Sequence, residues 1–81
     1  MLTNILVFGS SFNPVHHGHL SLARAFSQES WINQVILLPC GQHAFCKKLA
    51  PATDRLQMLQ LTLPSLPSNI SISTYEIEHS D

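Results

Sequence analysis

The sequence predicts an α/β fold, with the elements in the order β-α-β-α-β within one small domain. Three observations carry this reading. Ile5-Leu6-Val7-Phe8 and Val35-Ile36-Leu37-Leu38 are unbroken apolar runs of the kind found in parallel strands buried inside a sheet. Leu20, Ala23 and Phe26, and later Leu56, Leu59 and Leu63, recur at helical spacing. Ile70 and Ile72 alternate with Ser71 and Ser73, which is the period of a strand with one face turned inward.

Taken in order, Met1 to Asn4 lead into a first strand expected over Ile5 to Phe8. A loop from Gly9 follows, and the first helix is expected to begin near Gly18 or His19 and run to Ser27 or Gln28. Leu22 lies beside its apolar face, while Ser21, Arg24 and Gln28 look outward. Trp31 and Ile32 are expected to pack over the crossover into the second strand, which Pro39 ends because it has no N–H to donate to a ladder. Cys40 to Ala50 read as a loop at the carboxyl end of that strand, the edge where ligands gather in open α/β sheets. Pro51 suits the first turn of a second helix, with Asp54 near its positive end and Met58 joining the apolar face. Pro64 and Pro67 close that helix, and the third strand covers Ile70 and Ile72, with Tyr75 as an extension. This is the N-terminal half of a Rossmann-like doubly wound parallel sheet. Right-handed crossovers place the second and third strands successively outward on one side of the first.

Length and composition narrow the function. At 81 residues the chain is at most one domain, and a chain of that size buries only about 60–65% of its unfolded surface. The formal net charge is −1, and no basic stripe interleaved with aromatics points to nucleic acid. The longest apolar run is far short of a membrane span, and the first residues lack the pattern of a signal peptide, so a cytoplasmic location is expected. Cys40 and Cys46 would there be reduced thiols.

The chemistry concentrates in Gly9-Ser-Ser-Phe-Asn-Pro-Val-His-His-Gly-His-Leu20. A strand, a glycine-containing loop and a helix start in succession aim backbone N–H groups and a helix dipole at one point, which suits phosphate. The loop carries neither the P-loop lysine nor the Gly-x-Gly-x-x-Gly pattern. It carries His16 and His19, flanking Gly18, and imidazoles are donors suited to phosphate oxygens on which charge builds.

These residues resemble the signature of the His-x-Gly-His nucleotidylyltransferases. Gly9-Ser-Ser-Phe-Asn-Pro with His16-His-Gly-His19 is most similar to that of the nicotinate/nicotinamide mononucleotide adenylyltransferases. The later Gly41-Gln-His43-Ala-Phe45-Cys-Lys47-Lys48 resembles a second segment of some bacterial members, with Cys46 where a glycine is usual. Arg55-Leu56 with Met58-Leu59 resembles a family helix in which the arginine is structural. Glu76 and Glu78 fall where the family has an acidic segment, and here they read as a solvated chain end.

The resemblance implies an enzyme that transfers the adenylyl group of ATP to nicotinate or nicotinamide mononucleotide, giving the dinucleotide and pyrophosphate in NAD biosynthesis. It implies His16 and His19 as the catalytic pair. Gly9, Ser10, Ser11, Phe12, Gly18, His43 and Lys47 would bind the substrates, and Mg²⁺ would accompany ATP as co-substrate. The attacking phosphate oxygen is already anionic, so no general base is required. The partners are then the two nucleotides, with neither nucleic acid nor membrane involved. No metal ligand is assigned: Cys40-x-x-His43-x-x-Cys46 is an unusual spacing for structural zinc, and phosphate chemistry already accounts for His16, His17 and His19. A non-enzymatic nucleotide-binding remnant and another family enzyme, such as a cytidylyltransferase, are the alternatives. Asn13-Pro14 and His43-Ala-Phe45 argue against the second.

The resemblance covers the whole chain but only about the first third to half of a typical member, so residues 1–81 read as one truncated domain. The Ser-Tyr-Thr-like and Ile-Ser-x-Thr-x-x-Arg-like segments of the family are not in it. The first strand, central in the family sheet, has a neighbour on one side only and carries no charge, proline or bulge to blunt its edge. Partial unfolding or self-association through this edge is therefore expected, without adenylyl transfer by the isolated chain.

Overall fold

The three apolar runs form one parallel sheet. The structure is a computed structural model and describes residues 3–41 and 50–79. β1 (Ile5–Ser10), β2 (Gln34–Pro39) and β3 (Ile70–Ile72) lie in the order β1-β2-β3. β1 runs parallel to β2 from Ile5 opposite Gln34 to Ser10 opposite Pro39, and β2 pairs in parallel with β3 from Val35 opposite Ile70 to Leu37 opposite Ile72. β1 and β2 each extend further than the apolar runs alone suggest. Gly9 and Ser10 continue the ladder opposite Leu38 and Pro39, and the Cys40 N–H donates to the Ser10 carbonyl at 3.0 Å. Pro39 is the last residue of its strand rather than the first beyond it.

Helix α1 (His17–Ser27) and helix α2 (Ala52–Gln60) occupy the two crossovers. Ala23 from α1 and Leu59 from α2 join Phe12, Ile32, Val35, Leu37, Leu66 and Ile70 in one buried cluster, so both helices cover the same sheet face. Leu6, Phe8, Leu20, Phe26 and Ile72 pack around it. Leu22, expected beside the apolar face of α1, is exposed instead. Asp54 stands in the first turn of α2, where a negative charge is favourable. That helix stops at Gln60, and Leu63 and Pro64 belong to a separate 3-10 turn, Leu63–Ser65.

Two further sequence expectations fail. Trp31 does not pack over the crossover: its side chain is 62% exposed, and Ile32 alone is buried there. The crossover is held instead by polar groups, with Asn4 Nδ2 donating to the Trp31 carbonyl at 2.8 Å and the Asn4 N–H donating to Asn33 Oδ1 at 2.7 Å. Tyr75 does not extend the third strand. It opens a short helix, α3 (Tyr75–Glu78), and its N–H donates to Ser73 Oγ at 3.2 Å.

The opposite sheet face carries Ile5, Val7 and Gly9 from β1 beside Ile36 and Leu38 from β2. Ile5 is 51% and Val7 56% exposed, so this apolar face is open at β1 among the described residues. No helix among the described residues is long and apolar enough to cross a membrane.

Candidate functional site

The turn from β1 into α1 brings the two histidines together. His16 is the N-cap of α1, with extended backbone, and its Nδ1 accepts from the Gly18 N–H at 3.0 Å. His19, three residues on, returns the bond: the main-chain N–H of His16 donates to His19 Nδ1 at 3.1 Å. This is a reciprocal capping box built from two imidazoles in place of the usual hydroxyl and carboxylate. Its chemical consequence is direct. A backbone N–H can only donate, so both Nδ1 atoms are unprotonated and each neutral ring carries its proton on Nε2. The helix entry thereby holds two Nε2–H donors, on rings whose centroids are 3.9 Å apart. The first turn of α1 contains no acidic side chain to neutralise the positive end of the dipole.

His19 is the better supported of the two. Its ring lies 4.8 Å from that of Phe12 and 6.2 Å from that of Phe8. Burial holds its pKa below the ordinary imidazole value, and the neighbouring His16 lowers it further. At neutral pH His19 is therefore a neutral donor. Its Nε2 stands 3.4 Å from Ser10 Oγ, a long contact that a stronger acceptor, such as a phosphate oxygen, would displace.

Ser10 links the histidines to a cleft. Gly9, Ser10, Leu38, Cys40 and Glu76 line a space of about 300 Å³ at the carboxyl ends of β1 and β2. A Cβ at Gly9 would meet nothing closer than the Leu38 carbonyl oxygen at 3.9 Å, so the fold itself does not demand glycine there. Glycine instead leaves the cleft wall bare. The remaining sequence-derived residues divide as follows. Gly18 lies between the histidines. The Ser11 carbonyl turns to Arg55, and Phe12 is wholly buried with φ 48°, its N–H aimed at Ser10 Oγ at 3.4 Å. His43 and Lys47 lie outside the described residues.

Two residues that the sequence reading leaves outside the site stand beside it. Glu76, taken there as a solvated end, lines the cleft because α3 folds back beside β2. Nothing in its local sequence signals this, since only the helical turn after β3 brings it round. Arg55 is the other, fully buried behind the loop. Among the described residues no three histidine, cysteine, aspartate or glutamate side chains come together as a metal site would need.

Gly18 is required by this packing. A Cβ there would stand 2.8 Å from His16 Cε1 and 3.0 Å from His16 Nδ1, so the ring would have to move. Gly18→Ala gains helix propensity, about 1 kcal/mol in a helix interior, and loses a cap worth about 0.5–2 kcal/mol. The melting temperature should therefore shift little, while the His16 imidazole ¹⁵N signals move out of the Nε2–H pattern. Unchanged imidazole signals in Gly18→Ala would mean that the ring does not cap the helix.

Residues 7–81 match the family described as cytidylyltransferase-like. The chain belongs to that family. Among curated relatives, a probable nicotinate-nucleotide adenylyltransferase of Thermomicrobium roseum is 38% identical over 68 residues, covering 82% of this chain and 32% of the relative. One of Laribacter hongkongensis is 50% identical over 62 residues, covering 75% of this chain and 28% of the relative. The fold is also that of a solved structure, Plasmodium falciparum nicotinic acid mononucleotide adenylyltransferase complexed with NaAD. The match has a TM-score of 0.81 at 22% identity and covers 89% of this chain and 37% of that one. The chain thus spans about a third of the length of the curated relatives it matches. Its sheet corresponds to the N-terminal part of that Rossmann-like fold.

Proposed function

We propose that this chain supplies the phosphate-handling part of an adenylyltransferase that joins ATP to nicotinate or nicotinamide mononucleotide, releasing pyrophosphate. The observation that carries the reading is the reciprocal His16/His19 cap, which leaves two Nε2–H donors at the positive end of α1. The names of the curated relatives support it. In adenylyl transfer the attacking phosphate oxygen is anionic from the outset, so catalysis rests on in-line placement and on stabilising charge at the α-phosphate and the leaving pyrophosphate. His19, neutral and supported by Phe12, is suited to donate where that charge grows. His16 donates beside it, and the cleft of Gly9 and Ser10 receives the nucleotide.

Mg²⁺, brought by ATP, would neutralise the pyrophosphate. Glu76 is the one acid lining the cleft among the described residues, which fits an ion held mainly by phosphates rather than by a protein cage.

The test is dinucleotide synthesis by a chimera in which this chain replaces the matching N-terminal third of the Thermomicrobium roseum relative, with the 81-residue chain assayed alongside. Turnover by the chimera and none by the isolated chain is expected. A folded chimera that neither turns over nor binds MgATP would refute the reading.

Self-association belongs to the same proposal, because among the described residues β1 pairs with β2 alone and its outer face is open. Sedimentation of the isolated chain should show species larger than a monomer. Val7→Lys, which puts a charge on that face, should shift them toward monomer. A wild-type chain that stays monomeric at high concentration would set the edge aside.

A further inference from the structure

Arg55 has no exposed surface and no carboxylate partner among the described residues. A buried guanidinium held only by main-chain carbonyls is uncommon, because its charge is left without a counter-ion. The three carbonyls come from three different segments. Nε donates to the Ala50 carbonyl at 2.8 Å, just ahead of α2, while Nη1 donates to the Ser11 carbonyl and to the Cys40 carbonyl, each at 2.9 Å. Nη2 is buried with no partner among the described residues. One side chain thus ties the signature loop to the segment after β2 and to the entry of α2. A second tie runs parallel to it, since Asn13 Oδ1 accepts from the Ala50 N–H at 3.0 Å.

The bond to Ser11 falls at a sensitive place. The next residue, Phe12, has φ 48°, a conformation that costs a non-glycine residue energy and must be imposed by its surroundings. Phe12 in turn supports the His19 ring at 4.8 Å, and His19 holds His16 through the capping box. A continuous set of contacts therefore runs from the Arg55 guanidinium through Ser11 and Phe12 to the two imidazoles.

We propose that Arg55 is a positioning residue for the histidine pair. Its guanidinium, with Nε on the Ala50 carbonyl and Nη1 on the Ser11 and Cys40 carbonyls, sets the loop geometry that presents both Nε2–H groups before any ligand arrives. The role rests on the reading of the loop as a nucleotide site, but the positioning can be tested without a nucleotide. Lysine at this site keeps the charge but has one nitrogen in place of the planar fork, so it cannot hold the Ala50 carbonyl and the Ser11 and Cys40 carbonyls from two fixed positions.

The experiment records imidazole ¹⁵N spectra of the ligand-free 81-residue chain, followed by MgATP titration. Wild type should show both rings as Nε2–H tautomers. Arg55→Lys should remain folded by circular dichroism, lose that pattern through averaging, and bind MgATP more weakly by on the order of tenfold. Leu56→Ala, a half-buried substitution on the same helix, should lower the melting temperature and leave the imidazole pattern intact. Arg55→Ala should recover the pattern in millimolar guanidinium but not in potassium chloride of equal ionic strength. Arg55→Lys with wild-type tautomers would overturn the proposal, as would collapse of both Arg55 variants without guanidinium rescue, since either marks a purely structural residue. If wild type shows the paired tautomers yet takes no MgATP, the nucleotide reading fails and the tautomer comparison still judges Arg55.

Discussion

His19→Ala, placed in a chimera that carries this segment, should cost about 3–4 kcal/mol of transition-state stabilisation, or roughly 10²–10³ in turnover. The Michaelis constants should move much less. The reason is geometric: among the described residues His19 Nε2 faces only Ser10 Oγ at 3.4 Å, a weak contact that an oxygen on which charge develops would displace. Its lowered pKa keeps the ring neutral near pH 7, so it acts as a donor rather than a fixed cation. The same shift links stability to pH. Between the ordinary imidazole value, about 6.5, and the lower folded one, the unfolded chain binds more protons than the folded chain, so stability falls as the pH falls. The loss levels off below the folded value. Thermal melts across that window should show a steeper acid decline in wild type than in His19→Ala. Near-normal turnover in the variant would remove His19 from the mechanism, whatever the melts show.

The parts of the fold that were legible are those in which side-chain period decides the element. The runs at Ile5, Val35 and Ile70 and the helical stripes at Leu20 and Leu56 each signal their own geometry, and right-handed crossovers then leave one strand order. What escaped is set by tertiary partners. β1 continues through Gly9 and Ser10 because Leu38 and Pro39 lie alongside to receive it, though glycine and serine alone predict a loop. The start of α1 is capped by a histidine, a residue with no general preference for that position, so the capping box was invisible even though both histidines stood out. Arg55 sits on the buried side of α2, one position from Leu56 and four from Leu59, where hydrophobic period alone would place an apolar residue. Only the carbonyls of Ser11, Cys40 and Ala50, remote from one another in sequence or unremarkable within it, explain an arginine there. Trp31 shows the converse, an aromatic assigned to packing that the crossover leaves in solvent.

Phe12→Ala should be the most destabilising substitution in the signature loop. The ring is wholly buried, 5.7 Å from Phe8 in an edge-on contact and 4.8 Å from His19. Removing such a side chain costs about 3–5 kcal/mol, against a total stability of about 5–15 kcal/mol for ordinary domains. A domain this small falls near the low end, so most of the cooperative transition should be lost at 37 °C. The left-handed backbone at this residue adds a sharper expectation. In extended or helical positions glycine is less stable than alanine by about 0.5–1 kcal/mol. At φ 48° alanine is strained and glycine is not, so Phe12→Gly should be at least as stable as Phe12→Ala although it removes one more carbon. Urea melts of the two variants, at low concentration to limit association, measure the difference. If alanine proves more stable than glycine by its usual margin, the loop does not hold Phe12 in the left-handed region, and the support it gives to His19 must come from elsewhere.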